Sequence, residues 1–252
     1  GLDRHDLGGR RSLRRSRRVR GGAIVAVKVA VVAFPGTNCE MDVVEAVRSL
    51  GAEAQVVFHD GDHLDGVDAV VIAGGFAHGD YLRPGAIARF SPIMPAVGDF
   101  AAEGGPVVGI CNGFQVLTEA GLLPGALQKN AGLKFRCETS ELRVETTDSA
   151  LTGEAEVGQV LRIPINHFEG NYTCSPETLA ELRAEDRIVL RYVDNPNGSV
   201  DDIAGICNAG RNVVGLMPHP ERAGHELLGS TDGRVLISSL LSAAGARSAV
   251  SA

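Results

Sequence analysis

Apolar residues come in two textures along this chain. In the first half, short unbroken apolar runs alternate with stretches whose apolar positions recur three or four residues apart. The runs at 28–34, 54–58, 68–73 and 106–110 read as strands, because a short run without polar interruption suits a strand covered on both faces. Met41, Val44, Val47 and Leu50 recur at helical spacing until Gly51, which predicts a helix over 41–50. Residues 87–103 are mostly helical, with Pro92 and Pro95 marking an irregular middle, and 112–120 is a helix stopped by Gly121. Strands separated by helices in this manner predict a parallel sheet covered on both faces.

Beyond residue 130 the pattern becomes strand-rich. Segments 134–147 and 159–165 alternate, and 187–193, 203–208 and 213–217 are three more strands, separated by the turns N-P-N-G and N-A-G-R. A closing helix spans 233–244. The expected fold is α/β, a mixed sheet with hairpin insertions in one domain over 25–245, preceded by an extension over 1–24 and followed by a tail over 246–252.

Charge separates the extension from the rest. The 252 residues carry a formal net charge of −7, but residues 1–22 hold eight Arg against Asp3 and Asp6, a net of +6, which leaves −13 on the remainder. So acidic a body is a poor surface for nucleic acid. The basic head, nearly devoid of apolar residues, reads as a disordered extension. A twin-arginine export signal, a transit peptide and a nucleic-acid arm are the competing readings. Cleavage after the apolar run would remove the first strand, so a chain starting near Ala26 is expected to keep its activity. The longest nearly apolar run, 23–34, includes Lys28 and falls well short of the roughly 20 residues a membrane-spanning helix needs. With aromatics at 4% and no Trp, the core is expected to be built of Val, Leu, Ile and Ala. Five scattered Cys without a C-x-x-C argue against a disulfide framework and a zinc site.

The stretch that carries chemistry is P-V-V-G-I-C-N-G-F-Q, residues 106–115. A strand ends at Cys111, a helix begins at once, and Gly109 and Gly113 flank the cysteine at plus and minus two. This is a strand–turn–helix elbow with Cys as the nucleophile, in a turn too tight for side chains at the flanking positions. The helix N-terminus offers free N–H groups and partial positive charge, and both favour thiolate. The alternative is a buried, inert cysteine at a strand end.

A cysteine nucleophile needs a base, and the base needs an orienting group. His219, in M-P-H-P-E-R, directly follows a predicted strand, at the sheet edge where parallel strands carry their active sites. Pro220 fixes the backbone so that His219 and Glu221 can point the same way. His59 and His63, in H-D-G-D-H, match no metal-ligand spacing and read as a solvated loop. Cys39, Cys137, Cys174 and Cys207 read as structural.

G-I-C-N-G-F-Q with M-P-H-P-E-R resembles the class I glutamine amidotransferases. F-P-G-T-N-C-E (34–40), G-G-F-A-H-G-D-Y-L-R-P-G-A (74–86), P-I-N-H-F-E-G-N-Y (164–172) and L-L-G-S-T-D-G (227–233) narrow the resemblance to the glutaminase subunits of phosphoribosylformylglycinamidine synthase, over about residues 28–242. The resemblance implies a three-layer, flavodoxin-like, mostly parallel sheet with helices on both faces and a strand-rich second half. It implies that Cys111 is the nucleophile, His219 the general acid and base, and Glu221 its orienter. The N–H groups of Gly75 and Asn112 then form the oxyanion hole, Gln115 contacts L-glutamine, and the segment from His167 to Gly170 lines the site. The implied reaction hydrolyses glutamine through a cysteine thioester. Its ammonia goes to a separate ATP-dependent synthetase subunit that makes formylglycinamidine ribonucleotide, and a small third subunit bridges the two. No cofactor or metal is implied in this chain, since ATP and magnesium belong to the synthetase, and the implied compartment is the cytoplasm.

Ala77-His78, Phe168 after His167, and Gly224-His225 depart from the family pattern. The first two flank the expected glutamine pocket, and His78 reads as a loop substitution. Two other functions stay open at this point. One is another class I amidotransferase or a free-standing γ-glutamyl hydrolase, which the 74–86 and 227–233 motifs oppose. The other is a non-catalytic binding subunit, which the intact Cys, His and Glu oppose.

Overall fold

The structure is a computed structural model that describes residues 26–251; the basic extension lies outside the described residues. Nine strands form one sheet in the order β2-β1-β3-β4-β11-β10-β9-β6-β7. Strands β1 (Lys28–Ala33), β2 (Glu53–Phe58), β3 (Ala69–Ile72), β4 (Val107–Ile110) and β11 (Val213–Leu216) are mutually parallel. Strands β10 (Ile203–Cys207), β9 (Ile188–Tyr192), β6 (Arg136–Val144) and β7 (Val160–His167) add on antiparallel. A separate pair, β5 (Ala126–Gln128) with β8 (Asn171–Thr173), completes the strands among the described residues.

Burial follows the two sequence textures. Every residue of β3, β4, β10 and β11 is buried, whereas β6 and β7 alternate buried with exposed or half-buried positions, as expected of strands with one wet face. Helices cover both faces. The chain steps one way from β1 to β2 through α1 (Glu40–Ser49) and the other way from β3 to β4 through α2 (Ile93–Ala102). Right-handed crossovers therefore put these helices on opposite faces. Helix α3 (Asn112–Glu119) packs on β4, β11 and β3, while α5 (Gly233–Ser251) joins α1.

Several expectations shift in detail. Val44 and Val47 of the predicted α1 stripe are buried and Leu50 packs partly against the core, but Val43 takes the place of Met41, which is exposed. Pro92 and Pro95 mark a helix start rather than an irregular middle: Pro92 caps α2 and Pro95 sits in its first turn, where the missing N–H has no acceptor to lose. A 3-10 turn at Ala88–Phe90 stands apart from it. Helix α4 (Pro176–Ala184) buries only Leu182, so periodicity gave no sign of it; its signature is the Ser175 cap, which accepts from the Thr178 N–H at 3.2 Å. The stretch set apart as a tail from residue 246 is instead the continuation of α5, and the Ser248 hydroxyl donates to Asp68 at 2.5 Å.

The sheet's curl positions the site. Strand β7 lies four places from β11 in the order, yet the Pro164 carbonyl accepts the His219 N–H at 2.8 Å. The antiparallel half thus folds back over the carboxyl ends of the parallel strands.

Candidate active site

Cys111 joins β4 to α3 with φ 52° and ψ −106°, a conformation rare for a residue with a side chain and held here by its surroundings. Its N–H donates to the Leu216 carbonyl at 2.8 Å, and its carbonyl accepts from Phe114 and Gln115 at 3.0 and 3.2 Å. Both flanking glycines are sterically required. A β-carbon on Gly109 would lie 2.6 Å from the Gly113 carbonyl, and one on Gly113 would lie 2.1 Å from the Ile72 carbonyl oxygen. The second clash is with β3, a neighbour the sequence does not reveal.

His219 and Glu221 follow β11 on a 3-10 turn opened by Pro220. Both are almost wholly buried, and His219 Nδ1 meets Glu221 Oε1 at 2.6 Å. Burial alone would pull the His219 pKa down. The Glu221 carboxylate and the Cys111 sulfur outweigh it, and the imidazole stands well above its ordinary value. His219 Nε2 makes no hydrogen bond within normal limits, though Cys111 and Cys39 are near enough to raise its proton affinity. The Cys111 sulfur lies 3.7 Å from the Asn166 carbonyl on β7.

The loop after β3 approaches from the other side. A β-carbon on Gly75, where φ is 151°, would lie 2.7 Å from the α-carbon of Thr37, so this loop lies directly against the one after β1. Asn112 sits at the helix start, where its N–H lacks an intrahelical acceptor. Its side chain is a hub: Oδ1 accepts the Ala77 N–H at 2.9 Å, and Nδ2 donates to Asp80 at 3.1 Å and to Gln115 Oε1 at 2.8 Å. Gln115 in turn donates to the Glu169 carbonyl at 2.6 Å. Burial pushes the Asp80 carboxyl up to about 6, with Asn112 opposing and Glu169 adding to the rise.

The segment 167–170 is packed from beneath. His167 Nδ1 and the Gly170 N–H both meet Asn130 Oδ1, at 3.1 and 3.0 Å. A β-carbon on Gly170 would fall 2.1 Å from His167 Cε1. Burial, helped by the nearby His219, brings the His167 pKa down to about 4. Asn197 and Ser199, in what reads as a simple turn, are buried and donate to the Gly170 carbonyl at 2.9 and 3.2 Å.

The structure therefore brings Cys111, His219 and Glu221 to one sheet edge, with Gly75, Asn112, Gln115, His167 and Gly170 around them. His78 points elsewhere: its ring is 5.2 Å from His59 and 6.1 Å from Phe34, and its Nε2 is 3.4 Å from Ser91. His63 is exposed beside Asp62. Phe168 lies under the Lys129 ammonium at 5.9 Å. Sequence reasoning missed Asn130, Asp80 and Cys39. Cys39, read as structural, is buried against the histidine; its place in the F-P-G-T-N-C-E stretch was the available signal.

A family model for CobB/CobQ-like glutamine amidotransferase domains matches residues 26–235. A phosphoribosylformylglycinamidine synthase subunit PurQ from Rubrobacter xylanophilus is 55% identical over 218 residues, covering 86% of this chain and 99% of the relative. Its counterpart from Koribacter versatilis is 53% identical over 232 residues, covering 88% and 100%. Among solved structures, a chain of the PurLQS complex from Thermotoga maritima superposes with a TM-score of 0.80 at 42% identity, over 86% of this chain and 99% of that one. A Thermoplasma acidophilum protein named for one of the GMP synthase subunits shares the fold, with a TM-score of 0.65 at 17% identity over 91% and 99% of the two chains.

Proposed function

The chain belongs to the glutamine amidotransferase family, among the PurQ subunits of phosphoribosylformylglycinamidine synthase, and on that premise we propose how its residues hydrolyse glutamine. It is the glutaminase subunit of that synthase. Its ammonia goes to the ATP-dependent synthetase subunit, which converts formylglycinamide ribonucleotide to the amidine in purine biosynthesis. Its partners are that synthetase and a small third subunit. It works in the cytoplasm, alongside a partner that consumes ATP.

Cys111 thiolate attacks the side-chain carboxamide of L-glutamine. The oxyanion is received by the N–H groups of Asn112 and Gly75, donors already fixed before reaction. His219, having taken the thiol proton, gives it to the departing ammonia, which leaves a glutamyl thioester on Cys111. His219 then takes a proton from water as the water attacks the thioester. Glutamate departs and the thiol is restored. Glu221 holds the imidazole in position and stabilises its charged form. Gln115 contacts the substrate through the hydrogen-bonding positions its amide still has, and the 167–170 segment walls the pocket. ATP and magnesium are left to the synthetase; the chain has no G-x-x-x-x-G-K-[ST] phosphate loop.

One observation carries this reading: a buried His219–Glu221 pair at 2.6 Å, beside a cysteine on a strained strand–helix elbow that raises the histidine's proton affinity. Glutamine's diazo analogue 6-diazo-5-oxo-norleucine tests it in the assembled complex. The expected result is a single adduct on Cys111 and loss of glutamine-dependent turnover. Turnover lost with Cys111 unlabelled would sink the assignment.

A further inference from the structure

Cys39 has no task in the scheme above, yet it lies against the site's histidine. It caps α1, is 2% exposed, and its sulfur receives the Arg222 guanidinium at 3.1 Å. A β-carbon on Gly74 would touch both partners, 2.9 Å from His219 Cε1 and 3.3 Å from the Cys39 sulfur. One ligand atom each from Cys39, His219 and Glu221 lies within 4.8 Å of the other two. Two buried polar atoms here, His219 Nε2 and Glu221 Oε2, have no hydrogen-bond partner.

We propose that Cys39, His219 and Glu221 form a binding site for one soft divalent cation of the zinc class, and that its occupancy switches the glutaminase off. The donor set is one thiolate, one imidazole and one carboxylate, which suits tetrahedral zinc with a fourth position left open. Ligand atoms around such an ion stand about 3.3–3.7 Å apart, so the His219–Glu221 contact at 2.6 Å must open and the three groups, now within 4.8 Å of one another, regroup around the ion. Charge also balances. Cys39 thiolate and Glu221 neutralise the dication, while Arg222 is already matched by Asp42 at 3.0 Å. Binding releases to water both the Cys39 thiol proton and the proton on the coordinating nitrogen of the His219 imidazolium. A cavity of about 820 Å³ lined by His219, Glu221, Arg222 and Asn166 gives a route in from solvent.

The consequence for catalysis follows from the imidazole. A histidine whose nitrogen lone pair is given to a metal cannot accept a proton from Cys111 or from water. The effect on turnover rests on the glutaminase reading; the binding itself does not.

The test uses the assembled complex in thiol-free buffer, with cobalt(II) as the spectroscopic probe and zinc as the inhibitor. Cobalt is expected to give a thiolate charge-transfer band in the wild type and in Cys111→Ala, and to lose it in Cys39→Ser and Cys39→Ala. Zinc is expected to inhibit glutamine-dependent turnover and spare ammonia-dependent turnover. Cys39→Ser should raise the half-inhibitory zinc concentration at least about tenfold, since even loss of an outer partner weakens a metal site that much. If Cys39→Ser is itself inactive with glutamine, the cobalt band decides. A band that survives Cys39→Ser and vanishes in Cys111→Ala, or zinc inhibition indifferent to Cys39, overturns the proposal. A wild-type complex without glutamine-dependent turnover but with a Cys39-dependent band would refute the glutaminase reading and leave the metal site standing.

Discussion

The side-chain amide of Asn112 donates to the amide oxygen of Gln115 across 2.8 Å, and through that bond the elbow helix holds two separate loops. Asn112 also engages Ala77 and Asp80 in the loop after β3, while Gln115 reaches the Glu169 carbonyl near the end of β7. Asn112→Ala removes three hydrogen bonds, two of them buried, and leaves the Ala77 N–H unpaired. It should lower stability by about 2–3 kcal/mol in urea melts. Glutamine kcat/KM should fall while Cys111 still takes the diazo label, because the elbow itself is intact.

Cys111→Ser keeps the elbow's shape and replaces the sulfur by a hydroxyl. Glutamine-dependent turnover by the complex should fall by about 10³-fold or more. Ammonia-dependent turnover should survive, since it needs only the synthetase. Parallel losses of both activities would show that the residue supports assembly instead.

Glu221→Gln leaves His219 buried without its anion. Glutamine turnover should fall by about 10²–10⁴-fold, as when a triad carboxylate becomes an amide. The His219 pKa is raised in the folded protein, so its stabilising share is complete below the ordinary imidazole value and lost as pH rises through the folded value. The stability gap between variant and wild type should therefore be widest in mild acid and shrink in alkali.

His167 and Asp80 give opposing pH effects. His167 falls to about 4 when folded, so the unfolded chain holds the extra proton between about 4 and 6.5 and stability rises with pH there. Asp80 rises to about 6, so the folded chain holds the extra proton over much of the same window and stability falls with pH. Wild type should show a muted slope from these two groups. Asp80→Asn should expose the His167 rise, worth up to roughly 3 kcal/mol across the window, and His167→Gln should expose the Asp80 fall. Urea midpoints from pH 4 to 8 in the two variants check both signs; slopes of the same sign would refute the pairing.

Gly170→Ala forces a methyl into the His167 ring, and Gly113→Ala forces one into the backbone of β3. A ring can tilt and a carbonyl in a paired strand cannot. Gly170→Ala should cost about 1–3 kcal/mol and Gly113→Ala more, about 3 kcal/mol or above. The order of their melting temperatures is the check.

What the chain discloses by itself depends on how local the cause is. Parallel strands, the elbow and the H-P-E turn are written in consecutive residues, and each of those stretches lies where its local signals place it. The exchange of Met41 for Val43 in the α1 stripe was not legible, since both lie at helical spacing from Val44 or Val47 and only the packed fold chooses between them. Helix α4 escaped because only Leu182 is buried. The Asn112 hub, the Asn130 support under His167 and the Cys39 contact join residues from loops far apart in sequence. For the same reason the missing C-x-x-C, which argues against a zinc site in the sequence, does not bear on three proposed ligands carried by the start of α1 and the turn after β11.

Gly233 opens α5 with its α-carbon jammed against the His219 turn: a β-carbon there would lie 2.0 Å from the Pro220 carbonyl oxygen. The turn that carries His219 and Glu221 thus rests on the start of α5. Cys111 is synthesised well before His219, and the His219 turn gains its backing only once α5, which follows it in the chain, has been made. A chain cut short before α5 therefore holds Cys111 without the support that sets the His219 turn in place beside it.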